Sequence, residues 1–235
     1  MPRSQPLVSA RPRSSAKDAD AAGDSLGLRA YETIFSAIQT GKLRPGSCVR
    51  EAALALSLGM SRTPLREAVK RLQNEGLVTL EAQRGIRIVK LTRHEVMELF
   101  TAREWAEGAT AALAARHAGD AEIATLHHIL ALEKAAASDP VAGARYNRSL
   151  HATIHDCSRN RYLIEHVRSL NALVALAGDS TRRSAGRYQE ALREHTAIVE
   201  AIEGRDADRA EQRAREHIRA AQCFVLANLV EDANP

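Results

Sequence analysis

The chain of 235 residues is long enough for two domains; it is 45% hydrophobic and only 3% aromatic, which with abundant alanine favours helices packed through small residues. Three cysteines, Cys48, Cys157 and Cys223, lack paired spacing, excluding a disulfide framework and fitting a reducing cytoplasm; no apolar run approaches the roughly 18 residues of a membrane span, and a signal-peptide core is absent. The net charge of +4 hides an asymmetry, because residues 1–93 hold 16 Lys+Arg against 8 Asp+Glu and residues 94–235 hold 17 against 21. A basic first part beside an acidic second part, which carries all nine histidines, is expected of a nucleic-acid reader joined to a domain with another task.

Residues 1–25 have Pro, Ser, Arg and Ala without hydrophobic period and read as a disordered arm. Arg3, Arg11, Arg13 and Lys17 there fit a solubilising tail better than phosphate contacts. A first helix is predicted from Leu26 to Thr40, with Ala30, Ile34 and Ile38 inward and Gly41 ending it. Arg50 to Gly59 reads as a short helix with Ala53, Leu54 and Leu58 inward, and Gly59-Met60 leaves only a tight turn before the next.

That next helix begins near Ser61, where Ser61 or Thr63 can cap it and Pro64 sits in a first turn that needs no donor. Leu65, Ala68, Val69 and Leu72 form a buried stripe, and Gly76 stops the helix. Arg62, Arg66 and Lys70 form a second stripe. A charged stripe is ordinarily solvated surface, but here a short helix, a tight turn and a basic hairpin flank it. Leu77 to Leu91 alternates about Gln83-Arg84-Gly85 and carries Arg84, Arg87 and Lys90. Together, residues 26–91 read as a winged helix-turn-helix domain whose cationic helix suits the DNA major groove.

Tyr31 to Leu91 resembles the DNA-binding domain of the GntR family of bacterial transcription regulators. The matching pieces are IQTGKLRPG (Ile38 to Gly46), LGMSRTPLREA (Leu58 to Ala68), RLQNEGLV (Arg71 to Val78) and the wing tip Arg84-Gly85. The resemblance implies that Arg62, Thr63 and Arg66 meet bases or phosphates and that the wing near Gly85 enters the adjacent minor groove; Ser61, Lys70 and Arg84 beside them are further DNA-binding candidates. Some members place an arginine where this chain has Ala52, which leaves Arg50, two residues earlier, a less direct match.

Thr92 and Glu95 form a capping box that opens a long helix to Ala118 and marks the domain boundary. Residues 92–235 then read as helices only: Asp120 to Ala137, Pro140 to Ser158, Arg161 to Ala177, Thr181 to Glu203 and Asp206 to Leu229. The fold class is therefore mainly α, a winged domain followed by a helical bundle. The bundle is similar to the FadR-type C-terminal (FCD) domain of the GntR family, which implies an effector-binding and dimerisation domain over residues 92–235.

Asn147 and His151, one turn apart, share a helix face. With a turn at Gly204-Arg205, His195 and His217 both lie about 15 Å from it and come level across an antiparallel pair. Each inward histidine alone reads as a hydrogen-bonded core residue; four side chains brought level read as a metal site, three imidazoles and an oxygen suiting Zn²⁺ or another first-row ion. The resemblance implies the same ligands, with one departure: Asn147 stands where Asp is commoner, and a neutral amide is a poorer ligand. His155, one turn beyond His151, is within reach of the cavity without being a ligand by resemblance, and His94, His117, His127, His128 and His166 read as solvent-facing.

Arg103 and Glu107, one turn apart, read either as a surface ion pair or, by the resemblance, as effector-cavity residues, the arginine facing a carboxylate through its fork. Arg148 is a second candidate. The expectation is a cytoplasmic repressor, not an enzyme, binding a pseudo-palindromic operator as a homodimer and answering to a small carboxylate. Two alternatives remain: a regulator for which the metal itself is the signal, and a metal-dependent hydrolase with an accessory DNA-binding domain. The hydrolase lacks H-E-x-x-H and a placed general base.

Overall fold

The computed structural model describes residues 16–177 and 185–231. Helix α1 (Ala16–Gln39) begins ten residues before the expected start, so residues 16–25, assigned by composition to an arm, are helical. Their alanine richness is the local reason, since alanine has the best intrinsic helix propensity. Residues 1–15 lie outside the described residues. Helices α2 (Glu51–Ser57) and α3 (Arg62–Asn74) follow, joined by the tight turn. Leu65, Ala68, Val69 and Leu72 are all buried, as their spacing requires. On α2 the inner face is Leu54 and Ala55, with Ala53 exposed instead.

Strands β2 (Val78–Glu81) and β3 (Gly85–Ile88) form the expected hairpin, Val78 opposite Ile88 and Glu81 opposite Gly85. A two-residue strand, β1 (Cys48–Val49), adds to its other edge, giving the order β1-β3-β2. So short a strand has no legible alternation. Gly85 explains itself here: its φ is +97° and a Cβ would stand 2.6 Å from the Val49 carbonyl oxygen. Any side chain would push β1 off the wing.

The second half contains α4 (Arg93–His117), α5 (Asp120–Ala135), α6 (Pro140–Cys157) and α7 (Arg161–Leu173), the last continued by a 3₁₀ turn at Val174–Ala177. Helices α8 (Ala185–Glu203) and α9 (Ala207–Glu231) close it. The expected start of α8 at Thr181 lies outside the described residues. The Thr92 capping box is formed: the Thr92 hydroxyl accepts from Glu95 N–H at 3.2 Å and Thr92 N–H donates to the Glu95 carboxylate at 2.7 Å. Helix α4 lies along α9, and Gly108 permits the approach, since a Cβ there would meet Arg215 Cγ at 2.7 Å.

The bundle core runs through Ala111, Ala114, Leu126, Leu150, Val199 and Ile202. The winged core, built on Ile34, Ile38, Leu54, Leu72 and Ile88, also takes in Leu176 from the 3₁₀ turn of the second half. That side chain is 3% exposed, so the two halves share a core contact. No helix among the described residues is long and apolar enough to cross a membrane.

Candidate functional site

Helix α3 turns Arg62, Thr63, Arg66 and Lys70 to solvent on the side away from its buried stripe, and Ser61 and Arg50 beside it are also exposed. Ser61 holds the N-cap position, yet neither it nor another residue makes a side-chain capping bond, contrary to the sequence expectation. Ser61 is exposed at the start of α3, where a helix N-terminus suits a phosphate. Arg66 Nε lies 2.7 Å from Glu51 Oε1, but its side chain is 68% exposed. Such a surface pair is weak and exchanges readily for an anionic partner. At the wing, Arg84 is exposed while Gly85 is half-buried against β1. Gly85 thus shapes the wing and Arg84 is its cationic tip. Arg87, also on the wing, is bound to Glu81 and to the Gly46 carbonyl.

In the bundle the structure brings His151, His195 and His217 together, with ligand nitrogens within 4.8 Å of one another. Ring centroids are 5.4 Å apart for His151 and His195, 5.2 Å for His151 and His217, and 4.7 Å for His195 and His217. Each ring turns its Nδ1 to a different carboxylate: Glu107 at 3.3 Å for His151, Glu133 at 3.0 Å for His195 and Glu194 at 2.7 Å for His217. Carboxylates accept hydrogen bonds, so these contacts put the proton on Nδ1 and leave the Nε2 lone pair available to a metal. Burial pushes His217 down to about 3, neighbouring His195 and His151 adding to the effect against the pull of Glu194. Burial works against ionisation of Glu194, but His217 and Arg187 together hold it at about 2.

Asn147 completes the group from one turn before His151. Its Nδ2 lies 3.4 Å from His195 Nε2. Turning the amide over presents Oδ1, the atom that ligates, to the same place. The residues present fit a divalent ion in donor type, orientation and burial, with four neutral donors and the compensating negative charge one bond further out.

Arg103 and Glu107 are not a surface pair. They are 8% and 3% exposed, and Arg103 Nη2 lies 3.5 Å from Glu107 Oε1. Arg103 Nε donates to Asn171 Oδ1 at 2.7 Å, and Asn171 Nδ2 returns a bond to Glu107 at 3.1 Å. His155, 3% exposed, bonds the other Glu107 oxygen at 2.7 Å. Burial alone would raise the Glu107 carboxyl, but His151 and His155 hold it well below the usual carboxylate range.

A cavity of about 420 Å³ adjoins this centre. Asn147, His151 and His217 line it, together with Arg103, Arg148, Arg168 and Arg187 against a single acid, Glu133. Glu107, Asp156 and Glu194 pair with Arg103, Arg168 and Arg187, so with Glu133 four carboxylates balance the four arginines. The lining therefore offers guanidinium forks without an excess of positive charge from these residues.

The family model "Bacterial regulatory proteins, gntR family" matches residues 26–88, and that of the FCD domain matches residues 98–220. The chain belongs to the GntR family of transcriptional regulators, with an FCD domain as its second half. Among its relatives, the HTH-type transcriptional regulator YdhC of Bacillus subtilis is 28% identical over 208 residues, 87% of this chain and 92% of that protein. The HTH-type transcriptional repressor GlaR of Escherichia coli is 26% identical over 201 residues, 81% of this chain and 91% of the repressor. The solved structure of E. coli McbR/YncC has the same fold, with a TM-score of 0.79 at 20% identity, covering 87% of this chain and 98% of that one. GntR family members are regulators rather than enzymes, which removes the hydrolase alternative.

Sequence reasoning missed Glu133, Glu194, Asn171 and the inward bond of His155. Glu133 had a signal: it continues the α5 apolar stripe of Leu126, Ile129 and Leu130, where a lone carboxylate must find a buried partner. The five remaining histidines, His94, His117, His127, His128 and His166, are exposed as expected.

Proposed function

We propose that this GntR regulator is a repressor whose FCD domain binds a small carboxylate at a divalent ion, probing operator DNA as a homodimer through α3 and the wing. Ser61, Arg62, Thr63, Arg66 and Lys70, with Arg50 and Arg84 at the margins, are the DNA contacts. The observation that carries the effector reading is the convergence of three carboxylate-oriented imidazoles, two of which, His151 and His217, line a cavity that also contains four arginines. His151, His195, His217 and Asn147 hold the ion, Zn²⁺ being well suited to such a donor set. A bound ion would supply an electrophilic position for a carboxylate oxygen, and Arg103 and Arg148, which also line the cavity, carry the guanidinium forks to pair with that carboxylate. Effector binding changes operator affinity to the extent that it makes different contacts in two arrangements of the domains.

The test is elemental analysis of purified protein beside His195→Ala, followed by operator shift assays with a panel of carboxylates. About one ion per chain, lost in the variant, and an operator affinity that moves with a carboxylate are the expected results. No ion after addition of Zn²⁺ would reject the metal. An operator response to the ion alone, without any carboxylate, would make the ion the signal.

A further inference from the structure

The cavity does not end inside the FCD domain. Tyr31, Phe35 and Gln39, all on α1 of the winged domain, line it together with His151 and His217, and Tyr31 and Phe35 pack with Ala172 and Ala175 against the winged core. Tyr31 and Phe35 stack with centroids 5.8 Å apart. Tyr31 in turn is tied to the last turn of α3: its hydroxyl donates to Glu75 at 2.5 Å and the Arg71 guanidinium lies 4.2 Å from its ring centroid. A molecule filling the cavity would touch the side chain that anchors the DNA-facing helix.

We infer that the effector is a carboxylate with an apolar tail of about aromatic size, its head at the histidine centre and its tail against Tyr31 and Phe35 of the winged domain. The inference rests on the carboxylate reading above and adds the class of the tail and the place it reaches. At about 420 Å³ the cavity is well beyond what a two- or three-carbon acid fills. Its lining mixes arginines and imidazoles with apolar groups, and the part next to the winged domain is supplied by Tyr31, Phe35, Ala172 and Ala175, which pack against the winged core. A uniformly polar sugar acid would leave hydroxyls unpaired against those four side chains. A tailed acid matches both the polar groups and this apolar stretch, and its tail lies on the boundary between the two domains. Binding then reports directly on how α1 is seated.

Acetate and 4-phenylbutyrate, titrated calorimetrically into the full-length protein with Zn²⁺ added, test the assignment. The tailed acid is expected to bind at least about tenfold more tightly, the gain from burying one ring beside apolar walls. Phe35→Trp, which fills the apolar stretch, should erase that advantage and leave acetate binding as it was. Phe35→Ala, a second variant in case the larger ring disturbs folding, should weaken the tailed acid alone by about tenfold for the same lost contact. Equal affinity of the two acids, with a ratio untouched by either Phe35 variant, would overturn the inference and leave the carboxylate reading standing. Binding of polar acids from the panel, with no binding of 4-phenylbutyrate, would do the same. If no acid of any kind binds, the carboxylate reading falls and the inference falls with it.

Discussion

Leu176 belongs by sequence to the FCD half, yet its side chain is 3% exposed within the core of the winged domain. Truncating it to Ala removes buried methyls from the smaller of the two cores, where surrounding helices α1 and α3 relax only partly. Such truncations cost about 2–5 kcal/mol. Taking about 3 kcal/mol against the 5–15 kcal/mol typical of a whole domain, the winged domain should lose roughly a fifth to three-fifths of its margin. With a urea dependence near 2 kcal/mol per molar, its midpoint should fall by about 1.5 M. Trp105, the single tryptophan, sits on α4, 58% exposed and with the Arg215 guanidinium 3.8 Å from its ring centroid. Its fluorescence reports the bundle, while far-ultraviolet circular dichroism reports both halves. In Leu176→Ala the dichroism transition should split, its first phase moving down while the fluorescence midpoint stays near the wild-type value. Coincident transitions with a shift worth under about 1 kcal/mol would refute the shared-core argument.

Other substitutions probe the remaining steps. Arg66→Ala should weaken operator binding by about 1–3 kcal/mol and leave the thermal midpoint unchanged, since only a surface pair with Glu51 is lost; unchanged affinity in a shift assay would remove α3 as the reading helix. Glu133→Gln, at a position 2% exposed, should lower metal affinity about 10–100-fold by loosening the orientation of His195, and an unchanged affinity would show that His195 needs no such partner. Thr92→Ala should cost about 1 kcal/mol through loss of the capping box, read as a drop in the bundle's urea midpoint. Burial pushes the Cys157 thiol up to about 11, so at pH 8 about one molecule in a thousand is thiolate, against roughly a quarter for an ordinary cysteine. Ellman's reagent should therefore titrate Cys48 and Cys223, both exposed, in the native protein and reach Cys157 only on unfolding.

What the sequence made legible was what depends on near neighbours. The α3 stripe, the Thr92 box and the Asn147–His151 pair are set by spacings of three or four residues, and the hairpin follows from one turn. The meeting of His195 and His217 is a longer inference, but a turn at Gly204-Arg205 and a fixed rise per residue suffice, and the rings stand 4.7 Å apart. The illegible parts are contacts between elements whose relative placement no local period determines. Glu133 reaches His195 across 62 positions and Asn171 reaches Glu107 across 64. Arg103 and Glu107 share the spacing of a surface ion pair, and only the packing of α7 over α4 turns them into a buried network. The same holds for Leu176 and for the α1 wall of the cavity. Leu176 and the α1 residues of the cavity wall join the two halves, so the junction through which an effector in the proposed site would act on the winged domain lies in the part of the structure that periodicity does not encode. Motifs identify the two domains separately; the packing of α1 against the α7 end connects them.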